Sequence, residues 1–216
     1  MSDRPVIDPD AVVWSARESL RAGRPLLVLL HGYGSDERDL AALAPHLPSE
    51  YVTASVRAPL APPFPTPGWS WYPIEGLDGR DPEAVGASAE ALIDWLDDVA
   101  PDAASVGLLG FSQGGVIAVE AMRMRPQRFA FAVNLSGYAN PRPLATDADL
   151  AERRPPVFWG RGAFDDVIPA PLVEHTVQWL PGHVELSGRV YPNLAHAVSP
   201  DELDDVVAFL RKQLPA

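Results

Sequence analysis

The sequence predicts an α/β chain with a mostly parallel central sheet and helices on both faces. Three observations point there. Apolar strand-like runs alternate with helix-like segments along the chain, which is the pattern of a sheet crossed by helices. The strand-like runs are apolar almost throughout, as strands buried on both faces must be. One of them ends in Gly110-Phe111-Ser112-Gln113-Gly114, a Gly-x-Ser-x-Gly turn that leads directly into a helix-like run.

The strands expected from these runs are Val12–Ala16, Leu26–Leu30, Tyr51–Val56, Ser105–Leu109, Phe129–Leu135, Val157–Gly160 and Val184–Tyr191. The expected helices are Glu37–Ala44, Glu83–Val99, Gly114–Arg125, Pro171–Leu180 and Asp201–Leu214. In the segment Glu83–Val99, a helical period places Val85, Leu92, Ile93, Leu96 and Val99 on one face, with Glu90, Asp94, Asp97 and Asp98 toward solvent. The final helix opens on Ser199-Pro200-Asp201-Glu202. Ser199 suits the cap, Pro200 the first turn and Glu202 the reciprocal half of a capping box, while Arg211 and Lys212 sit at the negative end. The Pro-rich stretch Ala58–Pro73 is too apolar for a flexible linker. It reads as an ordered loop, and Phe64, Trp69, Trp71 and Tyr72 are its candidates for lining a substrate site.

A chain of 216 residues with neither repeats nor a linker suits a single domain, residues 1–216, without a separate cap domain. Its formal charge of −12 disfavours nucleic acid and anionic membranes as partners. There are no cysteines, which removes disulfides, thiolate nucleophiles and cysteine metal sites. No apolar run is long enough to cross a bilayer and the N-terminus has no signal core, so the expected location is the cytoplasm.

A serine hydroxyl is a weak nucleophile near neutral pH and needs a base, which in turn needs an orienting carboxylate. In the α/β-hydrolase arrangement that a Gly-x-Ser-x-Gly turn implies, the order is Ser, then Asp or Glu, then His, each beyond the carboxyl end of a strand. Among the histidines after Ser112, His175 falls inside a helix and His183 precedes a strand. His196 follows a strand's carboxyl end and is the candidate base. Asp165 and Asp166 compete in the loop after Val157–Gly160, spacing favours Asp165, and Asp147 and Asp149 are runners-up. An oxyanion hole requires two backbone N–H groups. Gln113 follows the nucleophile, and Tyr33 lies in the loop His31-Gly32-Tyr33-Gly34 after an early strand. His31 is expected to shape that loop, not to act as a base, and His46 to lie on the surface.

These residues together resemble the phospholipase/carboxylesterase family of α/β-hydrolases, which includes acyl-protein thioesterases and small bacterial carboxylesterases. The landmarks, beyond those already quoted, are Ala58-Pro59, Trp69-Ser70-Trp71-Tyr72, the extended Phe111-Ser112-Gln113-Gly114-Gly115, Leu135-Ser136-Gly137 and Gly162-Ala163-Phe164-Asp165. The resemblance implies a triad of Ser112, Asp165 and His196, with oxyanion donors at Tyr33 and Gln113. It departs at Tyr33, where thioesterase members often carry Leu, and at Pro73, where an acid commonly follows the aromatic pair. The expected activity is cleavage of carboxylic esters of short to medium acyl chain in an open site, with no cofactor and no metal. The small-molecule ester is the expected partner, and a homodimer over the open site is compatible with the sequence. Alternatives within the same chemistry are an acyl-protein thioesterase or a lysophospholipase. The alternative of another class is a non-catalytic binding protein on the same fold.

Overall fold

The computed structural model describes residues 4–75 and 79–214. In chain order its strands are β1 (Val12–Trp14), β2 (Leu26–Leu30), β3 (Val52–Val56), β4 (Ile74–Glu75), β5 (Gly79–Arg80), β6 (Val106–Phe111), β7 (Phe131–Leu135), β8 (Pro156–Gly162) and β9 (Glu185–Tyr191). Its α-helices are α1 (Glu37–Ala41), α2 (Pro82–Val99), α3 (Gln113–Met124), α4 (Asp147–Arg153), α5 (Ala170–His183) and α6 (Pro200–Lys212).

Seven strands form one sheet in the order β1-β3-β2-β6-β7-β8-β9. Only β1 is antiparallel to its neighbour, with Val13 opposite Ser55; every other pair is parallel. The order runs outward in both directions from β2 and β6, so the carboxyl ends of these two strands lie side by side, with Leu30 opposite Gly110. A crevice opens at such a switch point, and here it receives the His31 loop and the Ser112 turn.

The interior strands are apolar because both faces are covered. Leu26–Leu30 and Val52–Val56 are buried at every position. On one face α2, α3 and α5 pack through Leu92, Leu96, Val116, Ile117 and Leu180. On the other, α1 and α6 pack through Leu40, Val206, Phe209 and Leu210 against Leu29, Phe131 and Phe158. Of the face expected for α2, Val85, Leu92, Ile93 and Leu96 are buried, while Val99 is 40 % exposed at the helix end.

Three elements escape the apolar pattern. The two-residue strands β4 and β5 pair antiparallel, too short to show alternation. Helix α4 buries only Leu150 and is held by charge instead. The Arg123 guanidinium, 1 % exposed on α3, donates twice to Asp147 at 2.9 Å, to Glu120 at 2.9 Å, and to the carbonyls of Asn140 and Arg142 at 2.6 and 2.7 Å. Asp147 is therefore a structural anchor at the start of α4, which removes it as a candidate acid. Asp149 lies on the same helix. Helix α5 continues to His183 although Pro181 lies in its last turn, where His183 Nδ1 bonds to the Trp179 carbonyl at 2.8 Å. Among the described residues no helix is long and apolar enough to cross a membrane.

The Arg123 cluster yields a stability prediction. Burial pushes the Glu120 carboxyl upward and Arg123 draws it back down. Replacing Arg123 with Ala opens a cavity, takes the guanidinium from Asp147 and leaves the buried Glu120 with Asn140 at 3.0 Å and Arg142 at 3.5 Å, at an expected cost of about 3–5 kcal/mol. Urea unfolding at neutral pH measures this. A loss within ~0.5 kcal/mol, the range of ordinary surface substitutions, would show that the network carries no stability.

Candidate active site

The turn between β6 and α3 sets the site. A Cβ on Gly110 would lie 2.1 Å from the Gly114 carbonyl carbon, and one on Gly114 would lie 1.9 Å from the Leu30 oxygen. Only glycine at both positions lets strand and helix meet this closely. The residue between them, Ser112, is forced to φ 53° and ψ −118°, a strained conformation for a side chain-bearing residue. Its N–H donates to the Leu135 carbonyl at 2.7 Å, which fixes the turn against β7.

Ser112, 8 % exposed, donates from Oγ to His196 Nε2 at 2.9 Å. The other ring nitrogen, Nδ1, donates to Asp165 Oδ2 at 2.8 Å. The second Asp165 oxygen accepts from the N–H groups of Val167 and Ile168 at 3.1 and 3.3 Å, so the carboxylate is held on both sides. Asp166 is exposed and takes no part. The acid and base loops are tied by their own backbones: Ala163 N–H donates to Tyr191 and Phe164 N–H to Leu194, both at 2.9 Å. A Cβ on Gly162 would lie 2.1 Å from the Leu194 oxygen, so that glycine permits the approach. Phe111 packs against the His196 ring at 5.0 Å between centroids, a contact the sequence did not suggest.

The two expected oxyanion donors flank the serine. Gln113 is the first residue of α3, so its N–H has no partner one turn earlier in the helix. Tyr33 follows Gly32, whose α-carbon faces Phe111 and Ser112; no described backbone carbonyl takes up the Tyr33 N–H. His31 is fully buried, with Nδ1 bonded to the Gly32 carbonyl at 2.7 Å and Nε2 accepting from Ala58 N–H at 3.0 Å. Burial lowers its pKa, so it stays a neutral brace for the loop. His46 is exposed, and His175 and His183 lie on α5.

The aromatic loop divides. Phe64 is 97 % exposed and Trp69 packs under the Arg57 guanidinium; neither lines the cavity above Ser112. Trp71 is fully buried and donates from Nε1 to the His31 carbonyl at 2.9 Å. Tyr72 alone of the four lines the cavity. The Gln113 side chain explains the arrangement. Its oxygen accepts from Trp71 N–H at 2.9 Å and its nitrogen donates to the Tyr72 carbonyl at 2.8 Å, as a paired strand would. The cavity, about 300 Å³, is completed by Ile74, Arg80, Val167 and Ile168, none of which the sequence singled out. A larger hollow of about 610 Å³ lies at the opposite end of the sheet, near Trp14 and Trp95, and contains neither serine nor histidine. No described cluster of His, Asp and Glu is arranged to hold a metal ion.

With a strained serine, a bonded base and acid, and two amides beside them, the chain matches the Phospholipase/Carboxylesterase family over residues 11–214. The protein belongs to that family. It is 27 % identical over 224 residues to acyl-protein thioesterase 1 of Saccharomyces cerevisiae, covering 90 % of this chain and 95 % of that one. It superposes on the crystal structure of esterase PE8 with a TM-score of 0.74 at 27 % identity, covering 94 % of this chain and 99 % of the other. Acyl-protein thioesterase 2 of Zea mays superposes with a TM-score of 0.78 at 21 % identity, over 94 % and 99 % of the two chains, and shares the fold. The α/β-hydrolase fold expected from sequence is the one observed.

Behind the base loop lies a buried acid. Glu202 on α6 is fully buried, with Oε1 against the α-carbon of Gly160, and neither oxygen has a hydrogen-bond partner among the described residues. The Ser199 half of the expected capping box is formed, since Ser199 Oγ accepts from Glu202 N–H at 3.1 Å. Burial raises the Glu202 pKa from 4.5 to about 7, Asp205 adds to the rise, and the nearby Ser199 backbone draws it part of the way back although neither oxygen bonds to it, so the reciprocal half of the expected capping box is not closed. A carboxyl raised on folding stabilises the fold fully below its unfolded value and loses that contribution as pH rises through the folded one. Stability should therefore fall by about 3 kcal/mol between about pH 4.5 and pH 7 on account of this group. Glu202→Gln should remove that slope. Urea midpoints of both proteins at acid and mildly alkaline pH test it, and equal pH slopes would refute the assignment.

Proposed function

We propose that the protein is a serine esterase that cleaves carboxylic esters through an acyl-enzyme on Ser112. The observation that carries this reading is the continuous chain from Ser112 Oγ to His196 Nε2 and from His196 Nδ1 to Asp165 Oδ2, at 2.9 and 2.8 Å. In the proposed cycle His196 takes the Ser112 proton as Oγ attacks the ester carbonyl. The Tyr33 and Gln113 N–H groups stabilise the oxyanion. His196 then gives the proton to the departing alcohol, leaving the acyl group on Ser112. Water, deprotonated by His196, releases the acid and restores the serine. Asp165 holds the imidazole tautomer and balances its transient positive charge.

The modest cavity above Ser112 supports short to medium acyl chains. Ile74, Val167 and Ile168 supply apolar contact, and the chemistry extends to thioesters without change of residues. A thioesterase of Saccharomyces cerevisiae and esterase PE8 are both among its relatives, which supports a shared chemistry with the ester or thioester preference set in the pocket. The cytoplasm is the proposed place of action.

The test is turnover of p-nitrophenyl esters from acetate to palmitate, with acyl thioesters of matched length alongside. Wild type should prefer the shorter members. Ser112→Ala should lower kcat/KM by about 10⁴-fold or more with an unchanged melting temperature, since the nucleophile and base act as a unit. A folded Ser112→Ala protein that keeps its turnover would remove Ser112 as the nucleophile. Specificity rising steadily toward palmitate would contradict the short-chain preference.

A further inference from the structure

Beside the catalytic cavity lies a second one of about 380 Å³, whose lining includes Tyr138, Pro169 and Leu172. The two run along one loop, since Ile168 lines the first and Pro169 the second, yet among the described residues Arg80 alone lines both. Between them stands a pair of buried phenols. Tyr72 belongs to the first cavity and Tyr138 to the second, and the two are hydrogen-bonded to each other. Burial raises both phenols above their ordinary value, so the pair carries no charge near neutral pH.

Both rings are presented by pinned backbone. The Gln113 side chain bonds to the Trp71 N–H and to the Tyr72 carbonyl, and the same carbonyl accepts from Ser70 Oγ at 3.1 Å. On the other side, Trp159 Nε1 donates to the Gly137 carbonyl at 3.0 Å and the Ala139 N–H donates to Thr176 Oγ1 at 2.9 Å, so Tyr138 has a bond on each side of it. Tyr72 and Tyr138 are 1 % and 2 % exposed. Side chains packed this closely cannot swing aside without displacing their neighbours. The pair is therefore a fixed wall and not a gate. Beyond it, Pro141, Pro169, Pro171 and Leu172 offer the apolar surface that an alkyl chain would fill.

We propose that the Tyr72–Tyr138 pair is the specificity-determining wall of the acyl site: it sets the longest acyl chain that the site can hold and shuts off the apolar cavity behind it. This rests on the ester-hydrolase reading. With the ester carbonyl at Ser112, the acyl chain runs along Ile74 and Ile168 and meets the Tyr72 ring. A chain that outgrows the first cavity leaves its last methylenes in water and gains no further binding from them. Removing the wall joins cavities of about 300 and 380 Å³, and each further methylene then becomes worth about fourfold in kcat/KM.

The experiment measures kcat/KM for p-nitrophenyl butyrate, hexanoate and octanoate. The proteins are wild type, Tyr138→Leu, Tyr138→Phe, and Tyr138→Leu combined with Ala170→Phe, which fills the second cavity from its far side. Melting temperatures identify the folded variants, and Tyr72→Leu opens the same wall should Tyr138→Leu fail to fold. Tyr138→Leu should raise the octanoate-to-butyrate ratio by about tenfold or more. Tyr138→Phe keeps a ring in the wall and should keep the wild-type ratio, and Ala170→Phe should return the opened variant toward it. A series of butyrate esters of longer alcohols, followed by acid release, should keep its wild-type order in every variant. If the pair only supports the fold, opening it lowers all acyl lengths equally. An unchanged octanoate-to-butyrate ratio in a folded, opened variant thus overturns the proposal, while turnover of butyrate leaves the esterase reading standing. A shift confined to the alcohol series overturns the acyl assignment. No turnover of any ester by wild type removes both.

Discussion

The approach of Gly114 to the end of β2 is the constraint on which the site depends. With a Cβ at this position only 1.9 Å from the Leu30 oxygen, α3 could not start where it does. Its placement has three consequences. Ser112 is driven to positive φ, a strain of about 1–3 kcal/mol that the surrounding bonds must offset. The N–H of Gln113 arrives beside the loop that follows β2. The Gln113 side chain reaches the Trp71–Tyr72 backbone and binds it at both ends. The Ser112 turn, the loop after β2 and the cavity wall are therefore one packed unit.

Asp165 and His196 form a second unit, built on the loops after β8 and β9. These two neighbouring strands end in loops that exchange backbone hydrogen bonds before any side chain is considered. Asp165 faces His196 because its other oxygen is occupied by the two amides that follow it. This answers a choice that residue types alone could not make. Asp165 and Asp166 are chemically identical; spacing and resemblance favoured Asp165, and the turn formed by Val167 and Ile168 is the physical reason it meets His196.

The sheet, the serine turn and the position of the histidine were legible because each rests on local chemistry: apolar runs, glycines at a fixed spacing, and a loop beyond a strand's carboxyl end. What escaped depends on partners far away in sequence. Helix α4 has little apolar signal and exists where Arg123 waits for Asp147. Trp71 and Phe64 look alike on paper as apolar aromatics in a Pro-rich loop. One is an internal brace bonded to the His31 carbonyl and the other is 97 % exposed. Arg80 gave no sequence signal as a cavity residue, because only the fold brings it beside Ser112 and Tyr138. Gln113 was readable in part: its amide followed from the motif, but its side chain's role did not.

Several buried charges of this molecule sit under loops, away from the centre of the apolar layers. Glu37, at the start of α1, receives two hydrogen bonds from Arg57, and Arg57 in turn covers Trp69, so one ion pair ties α1 to the aromatic loop. Arg123 gathers Glu120, Asp147 and two carbonyls, and so fixes the path from β7 to α4 beside Tyr138 and Asn140. Loops have few apolar residues with which to specify a conformation, and a directional bond to a charge supplies that specification. The apolar layers then provide most of the stability and the charges define the rim. Glu202 departs from this division, since it is buried beside the same rim and its carboxyl oxygens have no hydrogen-bond partner among the described residues. Burial carries its titration close to neutral pH, beside the loop that holds His196.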